Sequence, residues 1–138
     1  MTVIADSSFI YALYSKHDSN HFQAKEFAST YPGNTIIPDI ILPEVCYLFL
    51  RDIGYAGMRD FFVHFKEIDS PLAPLVRTDL NRIHEITEMY ASAEFDIVDC
   101  CIMALAERLQ ITGIATFDRR DFSIFRPRHC DFLELLPQ

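Results

Sequence analysis

Short apolar segments alternate along the chain with longer segments in which apolar residues recur every three or four positions. The short segments predict buried strands, and we assign them to 2–5, 35–37, 111–117 and 132–136. Segment 70–76 carries Pro71 and Pro74, which indicates a loop or a short edge strand. The longer segments predict amphipathic helices, which we place at 7–16, 19–31, 40–51, 55–65, 79–90 and 96–110.

Turn-forming residues separate several of these elements. Pro32 and Gly33 end the second predicted helix, and Gly54 interrupts the helical pattern between 40–51 and 55–65. The last predicted helix is apolar almost all round in its first half, which indicates a central, buried helix. Since strands alternate with helices without a repeat or linker, we expect one α/β domain over 1–138 with a mostly parallel sheet.

Composition supports a globular protein. Half of the 138 residues are apolar and 23% are charged, which excludes a disordered chain. No apolar run approaches the roughly 20 residues of a membrane-spanning helix, and no secretory signal is evident at the start, so we expect a cytoplasmic location. The four cysteines form no Cys-x-x-Cys pair, which fits reduced thiols.

Charge argues against simple electrostatic binding of nucleic acid. Twelve basic residues stand against 20 acidic ones, for a net charge of −8, so a metal ion or a local basic patch would be needed to reverse the sign. Segment 119–128 offers such a patch, because its four arginines exceed its one acid, Asp121, by three charges. We predict that the four side chains contact phosphates. An equally good alternative is that they form ion pairs with Asp121 and Asp131. The four are Arg119, Arg120, Arg126 and Arg128.

Four acidic residues lie in apolar surroundings near predicted strand ends or helix starts: Asp6, Glu44, Asp99 and Asp118. Because the carboxyl ends of parallel strands share one edge of a sheet, these side chains are expected to converge there. Unpaired carboxylates in a partly apolar cleft repel one another, and hard divalent cations such as Mg²⁺ or Mn²⁺ relieve that repulsion. The pattern therefore favours a metal site.

Each acid also has an ordinary structural explanation. Asp6 can cap the helix that follows it, and Asp96 with Asp99 can combine a cap with a favourable helix-dipole interaction. For Asp96 we favour that explanation. Glu44 can interact with a helix dipole and Asp118 can sit in a salt-bridged turn, but four such acids at one sheet edge together favour a site.

Four segments contain the acids described above together with characteristic neighbours: Ile4–Ile10, Pro43–Val45, Asp99–Ala106 and Thr116–Phe122. In order and in spacing they resemble the motifs of PIN domains. The tail at 125–128 and 135–137 is similar to that of the bacterial VapC-type toxins of this family.

The resemblance implies an α/β/α sandwich and a Mg²⁺- or Mn²⁺-dependent endoribonuclease that a cognate antitoxin protein holds inactive. It implies a catalytic quartet of Asp6, Glu44, Asp99 and Asp118. We expect the metal to be held mainly by Asp6 and Asp99, with Asp118 binding it directly or through water, and Glu44 either to complete a second metal position or to orient the nucleophile. Ser8 and Thr116 would support the quartet, and Asp96 matches an acid found in part of the family. Cys100 and Cys101 depart from the usual pattern, and their position beside Asp99 suggests sensitivity to oxidation.

Two other classes of protein also carry acidic residues directly after strands, but this sequence matches them less well. A haloacid-dehalogenase-type phosphatase needs a second aspartate where Ser8 stands, and a receiver-type phosphoacceptor needs a late lysine, whereas no lysine follows Lys66. The scattered histidines argue against a histidine-driven ribonuclease. One alternative remains, a catalytically silent PIN-like module that binds RNA or protein.

An aromatic-rich stretch suggests protein partners. It is more apolar than one small core is expected to absorb, so we expect part of it to form a homodimer face and an antitoxin groove. Its members are Tyr47, Phe49, Tyr55, Phe61, Phe62 and Phe65.

Overall fold

A single five-stranded sheet forms the centre of the computed structural model, which describes all of residues 1–138. The strands are β1 (Thr2–Ala5), β2 (Asn34–Pro38), β3 (Leu72–Ala73), β4 (Gly113–Ala115) and β5 (Glu134–Leu136). They lie in the order β3-β2-β1-β4-β5, and every pairing is parallel. The expected parallel sheet is confirmed, and of the two alternatives for 70–76, a loop or a short edge strand, β3 is the edge strand.

Six helices connect these strands: α1 (Ser7–Tyr14), α2 (His21–Thr30), α3 (Ile41–Phe65), α4 (Arg77–Met89), α5 (Ile97–Leu109) and α6 (Arg120–Ile124). A short 3₁₀ turn, Ala91–Ala93, precedes α5. Helix α1 contacts α2 and α3, and α4 contacts α5, so that the helices and the sheet build the predicted α/β/α sandwich. No helix is both long enough and apolar enough to cross a bilayer.

The predicted elements are found with changed ends. The predicted helices 40–51 and 55–65 are the two parts of α3, which bends at Gly54, where φ is 83° and ψ is −179°. Only glycine adopts that conformation without strain. The strand predicted over 111–117 is too long, since β4 holds three residues, and the helix α6 was not predicted.

Helix α5 lies in the core, as its nearly all-round apolar pattern predicts. All residues from Asp99 to Glu107 are buried, and those from Cys100 to Ala106 join one cluster of 30 buried apolar side chains that also includes residues of β1 and β4. At roughly 25 cal/mol per Å² of buried apolar surface, such packing fixes the position of α5 relative to the sheet. The start of α5 is thereby held at the carboxyl edge of the strands.

Ion pairs attach α4 to the far part of α5. The guanidinium of Arg82 forms a two-pronged contact with Glu107, at 2.6 and 3.0 Å, and both side chains are nearly buried. Burial alone would raise the pKa of Glu107, but hydrogen bonds from Arg82 and from the Arg128 N–H hold it below its ordinary value. Arg108 pairs with the buried Asp79 at 2.9 Å. These acids are satisfied by cations, whereas Asp99 at the other end of α5 takes part in no ion pair.

Candidate active site

Asp6 is the most thoroughly buried acid of the sheet edge, with 2% of its surface exposed. It follows β1 and caps α1, since its Oδ1 accepts hydrogen bonds from the Phe9 N–H (2.9 Å) and the Ser8 hydroxyl (2.8 Å). The Thr116 hydroxyl donates to Oδ2. Burial raises the pKa of Asp6 to about 6, and the hydrogen bonds from Thr116, Phe9 and Ser8 limit the rise. Both carboxylate oxygens are therefore held in fixed directions.

The two hydroxyls also position the loop that carries Asp118. Ser8 Oγ accepts from the N–H groups of Phe117 (2.9 Å) and Asp118 (3.2 Å), and Thr116 Oγ1 accepts from the Asp118 N–H (3.0 Å). The Asp118 side chain is exposed, and its charge contributes to the raised pKa of Asp6. Ser8 and Thr116 thus connect the ends of the neighbouring strands β1 and β4.

Asp99 lies in the first turn of α5 with 9% of its surface exposed. Burial raises the pKa of this carboxyl far above its ordinary value, and the adjacent Asp121 together with the charges of Asp6 and Asp96 raises it further. The structure therefore brings Asp6 and Asp99 within electrostatic reach of each other. Asp6 and Asp99 are far apart in the sequence but close in space, because β1 ends and α5 begins at the same edge of the sheet.

Asp96 has the capping geometry that we favoured for it. Its carboxylate accepts hydrogen bonds from the N–H groups of Val98 (3.0 Å) and Asp99 (3.3 Å), and it is exposed. Because the Asp99 N–H donates the second of these hydrogen bonds, the cap also fixes the backbone of the buried Asp99.

Glu44 is half-buried in the first turn of α3 and accepts a hydrogen bond from the Ser7 hydroxyl. Ser7 is the residue after Asp6, so this contact brings Glu44 to the same end of α1. Sequence reasoning did not select Ser7 as a site residue. Its position in the Asp-Ser-Ser segment beside Ser8 is the signal that could have found it.

Asp121 is the second site residue that sequence reasoning missed. It lies in the fourth motif-like segment, but we gave it no site role and considered it as a partner for arginines; it does accept a hydrogen bond from Arg120 at 2.7 Å. It is nevertheless 7% exposed, lies beside Asp99, and its Oδ2 accepts from the Asp96 N–H at 2.9 Å. Helix α6 places it there.

The four predicted phosphate-binding arginines do not converge. Arg120 contacts Asp121 at the sheet edge, and Arg119 donates to the carbonyl oxygens of Thr116 and Pro137. Arg126 instead folds back on the carbonyl of Ser123, and Arg128 forms an ion pair with Glu85 of α4 at 2.7 Å. The single basic patch expected over 119–128 is thus divided between two regions of the surface.

The donor chemistry of this edge fits a hard divalent cation. Its side chains present carboxylate and hydroxyl oxygens, the ligands that Mg²⁺ and Mn²⁺ prefer, and the buried Asp6 and Asp99 are crowded by like charge. No group of three or more His, Cys, Asp or Glu side chains is arranged as a ready-made metal cage. The acids are gathered along the edge, and ligation by Asp6, Asp99 and Asp118 together remains a prediction.

The suggested sensitivity of the adjacent thiols to oxidation is not supported. Cys100 and Cys101 are buried, and burial raises the pKa of the Cys100 thiol to about 11. Since the thiolate is the reactive form, both side chains are expected to be inert packing residues.

Comparison with known proteins agrees with this geometry. The family description "PIN domain" matches residues 3–126, and the chain therefore belongs to the PIN domain family. It is 22% identical over 125 residues to Ribonuclease VapC26 of Mycobacterium tuberculosis, an alignment that covers 91% of this chain and 93% of that protein.

Two solved structures share the fold. One is the M. tuberculosis toxin VapC20, described as cleaving the sarcin-ricin loop, with a TM-score of 0.77 and 19% identity over 86% of this chain and 91% of that one. The other is VapBC2 from Rickettsia felis bound to a DNA fragment from its promoter, with a TM-score of 0.69 and 16% identity over 98% and 97% of the two chains.

The raised pKa of Asp99 predicts a stabilising substitution in the absence of metal. An unfolded aspartate has a pKa near 3.9, so the folded state binds the Asp99 proton more tightly and loses stability as pH rises above about 4. In EDTA at pH 8, Asp99→Asn should raise the free energy of unfolding by about 1 kcal/mol or more. Urea denaturation should show this gain shrinking toward pH 4.

Asp118→Asn is the matched control, because its carboxylate is exposed and its replacement should change stability by less than about 0.5 kcal/mol. If Asp99→Asn instead lowered the free energy of unfolding by the same amount at pH 8 and at pH 4, repulsion among the acids at this edge would be contradicted.

Proposed function

We propose that the protein is a Mg²⁺- or Mn²⁺-dependent endoribonuclease and the toxin of a type II toxin–antitoxin pair. The observation that carries this proposal is the like-charge interaction of the buried Asp6 and Asp99 at the carboxyl edge of the sheet, with Asp118 acting on Asp6, Asp121 beside Asp99 and Arg120 bonded to Asp121. The PIN domain match and the ribonuclease and toxin names of its relatives support the same activity.

Asp6, Asp99 and Asp118 would hold the metal, and the buried Asp121 would complete the acidic group. When it is bound, such an ion supplies Lewis-acid stabilisation of the phosphate and lowers the pKa of a nearby water. Asp6 needs no rearrangement of its partners for this role, since Thr116 and Ser8 already orient its two oxygens. Asp96 would act indirectly, by capping the turn that carries Asp99.

Glu44 is the candidate for orienting the attacking water. The Ser7 hydroxyl occupies one of its carboxylate oxygens and fixes the side chain, which leaves the other oxygen to accept a hydrogen bond. A carboxylate in such a position can direct a water toward a phosphodiester.

Of the arginines, Arg120 is the best placed to contact RNA phosphate beside the acids. Its side chain is 59% exposed. Its Nη1 donates to Asp121 and its Nη2 to the Ala93 carbonyl oxygen, so the remaining N–H donors of the fork can reach a substrate. Arg119 lies near it on the β4 loop. Arg126 and Arg128 would contact the RNA only away from the acids.

A protein antitoxin and a second copy of the chain are the proposed partners. VapC20 is described as a toxin, and VapBC2 was solved bound to a DNA fragment from its promoter. The similarity of this chain to both supports the proposal that it has an antitoxin partner. The aromatic-rich stretch divides between core and surface. Phe49, Phe61 and Phe65 are core residues, and exposed apolar side chains remain on α3, namely Tyr47, Leu50, Ile53, Tyr55, Phe62 and Val63. We propose this face for protein contacts, and a cytoplasmic location in keeping with four free thiols.

The dimer proposal predicts that Phe62→Ala weakens self-association. Phe62 is 44% exposed, so its truncation should leave the core intact and shift sedimentation equilibrium toward the monomer. Phe22→Ala is the control, because Phe22 is an exposed aromatic residue on α2. Identical sedimentation of both variants and the wild type would count against this face.

The nuclease proposal predicts metal-dependent cleavage that Asp99→Asn removes. With Mg²⁺ or Mn²⁺, the wild type should cut RNA at mappable ends, and the variant should be slower by about 100-fold or more. Asp69→Asn, an exposed acid that precedes β3 at the opposite edge, should cut like the wild type. EDTA should abolish cleavage by both active forms.

The same assay separates the catalytically silent alternative. If the wild type and Asp99→Asn bind RNA equally and neither cuts it with either metal, the protein is a binding module and the nuclease proposal fails.

A further inference from the structure

A cavity of about 540 Å³ opens where the end of α1, the start of α2 and the second part of α3 meet. Its wall carries five basic or imidazole side chains against one acid, Asp60: Lys16, His17, His21, Lys25 and His64. The chain has three lysines and five histidines and a net charge of −8. Two of the lysines and three of the histidines therefore surround one cavity of an acidic protein.

The two lysines of this cavity carry unpaired charge. Lys16 and Lys25 take part in none of the ion pairs of the structure, whereas the third lysine, Lys66, pairs with Glu67 at 2.7 Å. His21 is held by its Nδ1, which lies 2.8 Å from the Ala12 carbonyl oxygen. The ring is thereby fixed at the start of α2, and its other nitrogen is left for a ligand.

The cavity is connected to the acidic edge. A second cavity of about 740 Å³ begins at Ser8 and Phe117, beside Asp6 and Asp118, and shares Ser15, His17 and Ile53 with the basic cavity. A strand with a phosphodiester at the acids could therefore continue along α1, past Asp18 and the Arg51–Asp52 ion pair, into the basic cavity.

Apart from Ser15, the rest of the cavity wall is apolar and includes the half-buried ring of Tyr14, which packs edge-on against the buried core residue Phe61 at a centroid distance of 5.4 Å. A free anion would gain nothing from such a wall, but a nucleotide presents both a phosphate and a flat base. Single-stranded RNA is bound in proteins by this combination of cations and aromatic surfaces.

We propose that this cavity is a nucleotide subsite for the RNA strand that passes through the acidic edge. Lys16 and Lys25 contact a phosphate of a nucleotide removed from the cleaved bond, and its base packs against the Tyr14 side. That the ligand is RNA rests on the proposed function. If the subsite exists, α1 and α2 bind the part of a longer RNA that extends beyond the cleaved bond.

The test compares Lys16→Ala/Lys25→Ala with Lys66→Ala, both in the Asp99→Asn background so that RNA stays intact. Fluorescence anisotropy with a single-stranded RNA of roughly 12 nucleotides is repeated over a range of salt concentrations. Loss of the lysine contacts to this phosphate should lower affinity about tenfold and reduce the slope of log affinity against log salt by about 0.7. With Asp99 restored, KM for this RNA should rise while kcat stays unchanged.

Lys16 and Lys25 are exposed, so circular dichroism should show both variants folded. Equal affinity and salt slope in the double variant and in Lys66→Ala would overturn the subsite. Equal RNA affinity with altered self-association of the double variant would assign the cavity to protein contacts, which also overturns it. Absence of RNA cleavage by the wild type would sink the nuclease proposal instead, while the binding comparison would still decide the subsite.

Discussion

Repulsion among carboxylates that the fold holds together is the constraint on which the rest of the structure depends. Asp6 and Asp99 are buried on separate elements, yet the parallel sheet directs the end of β1 and the start of α5 to one edge. Burial and like charge raise the pKa of both groups. This unfavourable electrostatic energy must be offset by the packing of the surrounding residues. Strongly shifted pKa values of this kind are typical of functional sites.

The surrounding packing provides that support in two ways. Core burial and the Arg82–Glu107 ion pair hold α5 against the sheet and α4, and the Ser8 and Thr116 hydroxyls bind the loop after β4 to the start of α1. The contrast between the two ends of α5 is informative. Glu107 is neutralised by arginine, whereas Asp99 faces further acids, and only the second arrangement leaves a demand for an added cation.

The sheet order places the acids, and much of this was predictable from sequence. Alternating strands and helices predict a parallel sheet, and a parallel sheet predicts that Asp6 and Asp118 meet at one edge. The bend at Gly54 was predictable because glycine interrupted an otherwise helical pattern. The near-continuous apolar character of 97–106 likewise predicted a central helix.

Other features depended on tertiary contacts that no local pattern reports. Helix α6 has five residues, too few for a periodic signal, so the burial of Asp121 could not be foreseen. The arginines of 119–128 are neighbours in sequence, but α6 and the following turn send Arg120 and Arg128 to different acids. The cavity beside α1 and α2 likewise gathers Lys16 and His64 from distant positions.

The central claim is that these acids form one cation-binding group, and Mn²⁺ titration by isothermal calorimetry tests it most directly. The account predicts that the wild type binds Mn²⁺, that Asp6→Asn and Asp99→Asn each weaken binding at least about tenfold, and that Asp69→Asn leaves it unchanged. Absence of Mn²⁺ binding to the wild type, or equal affinity in all four proteins, would contradict it.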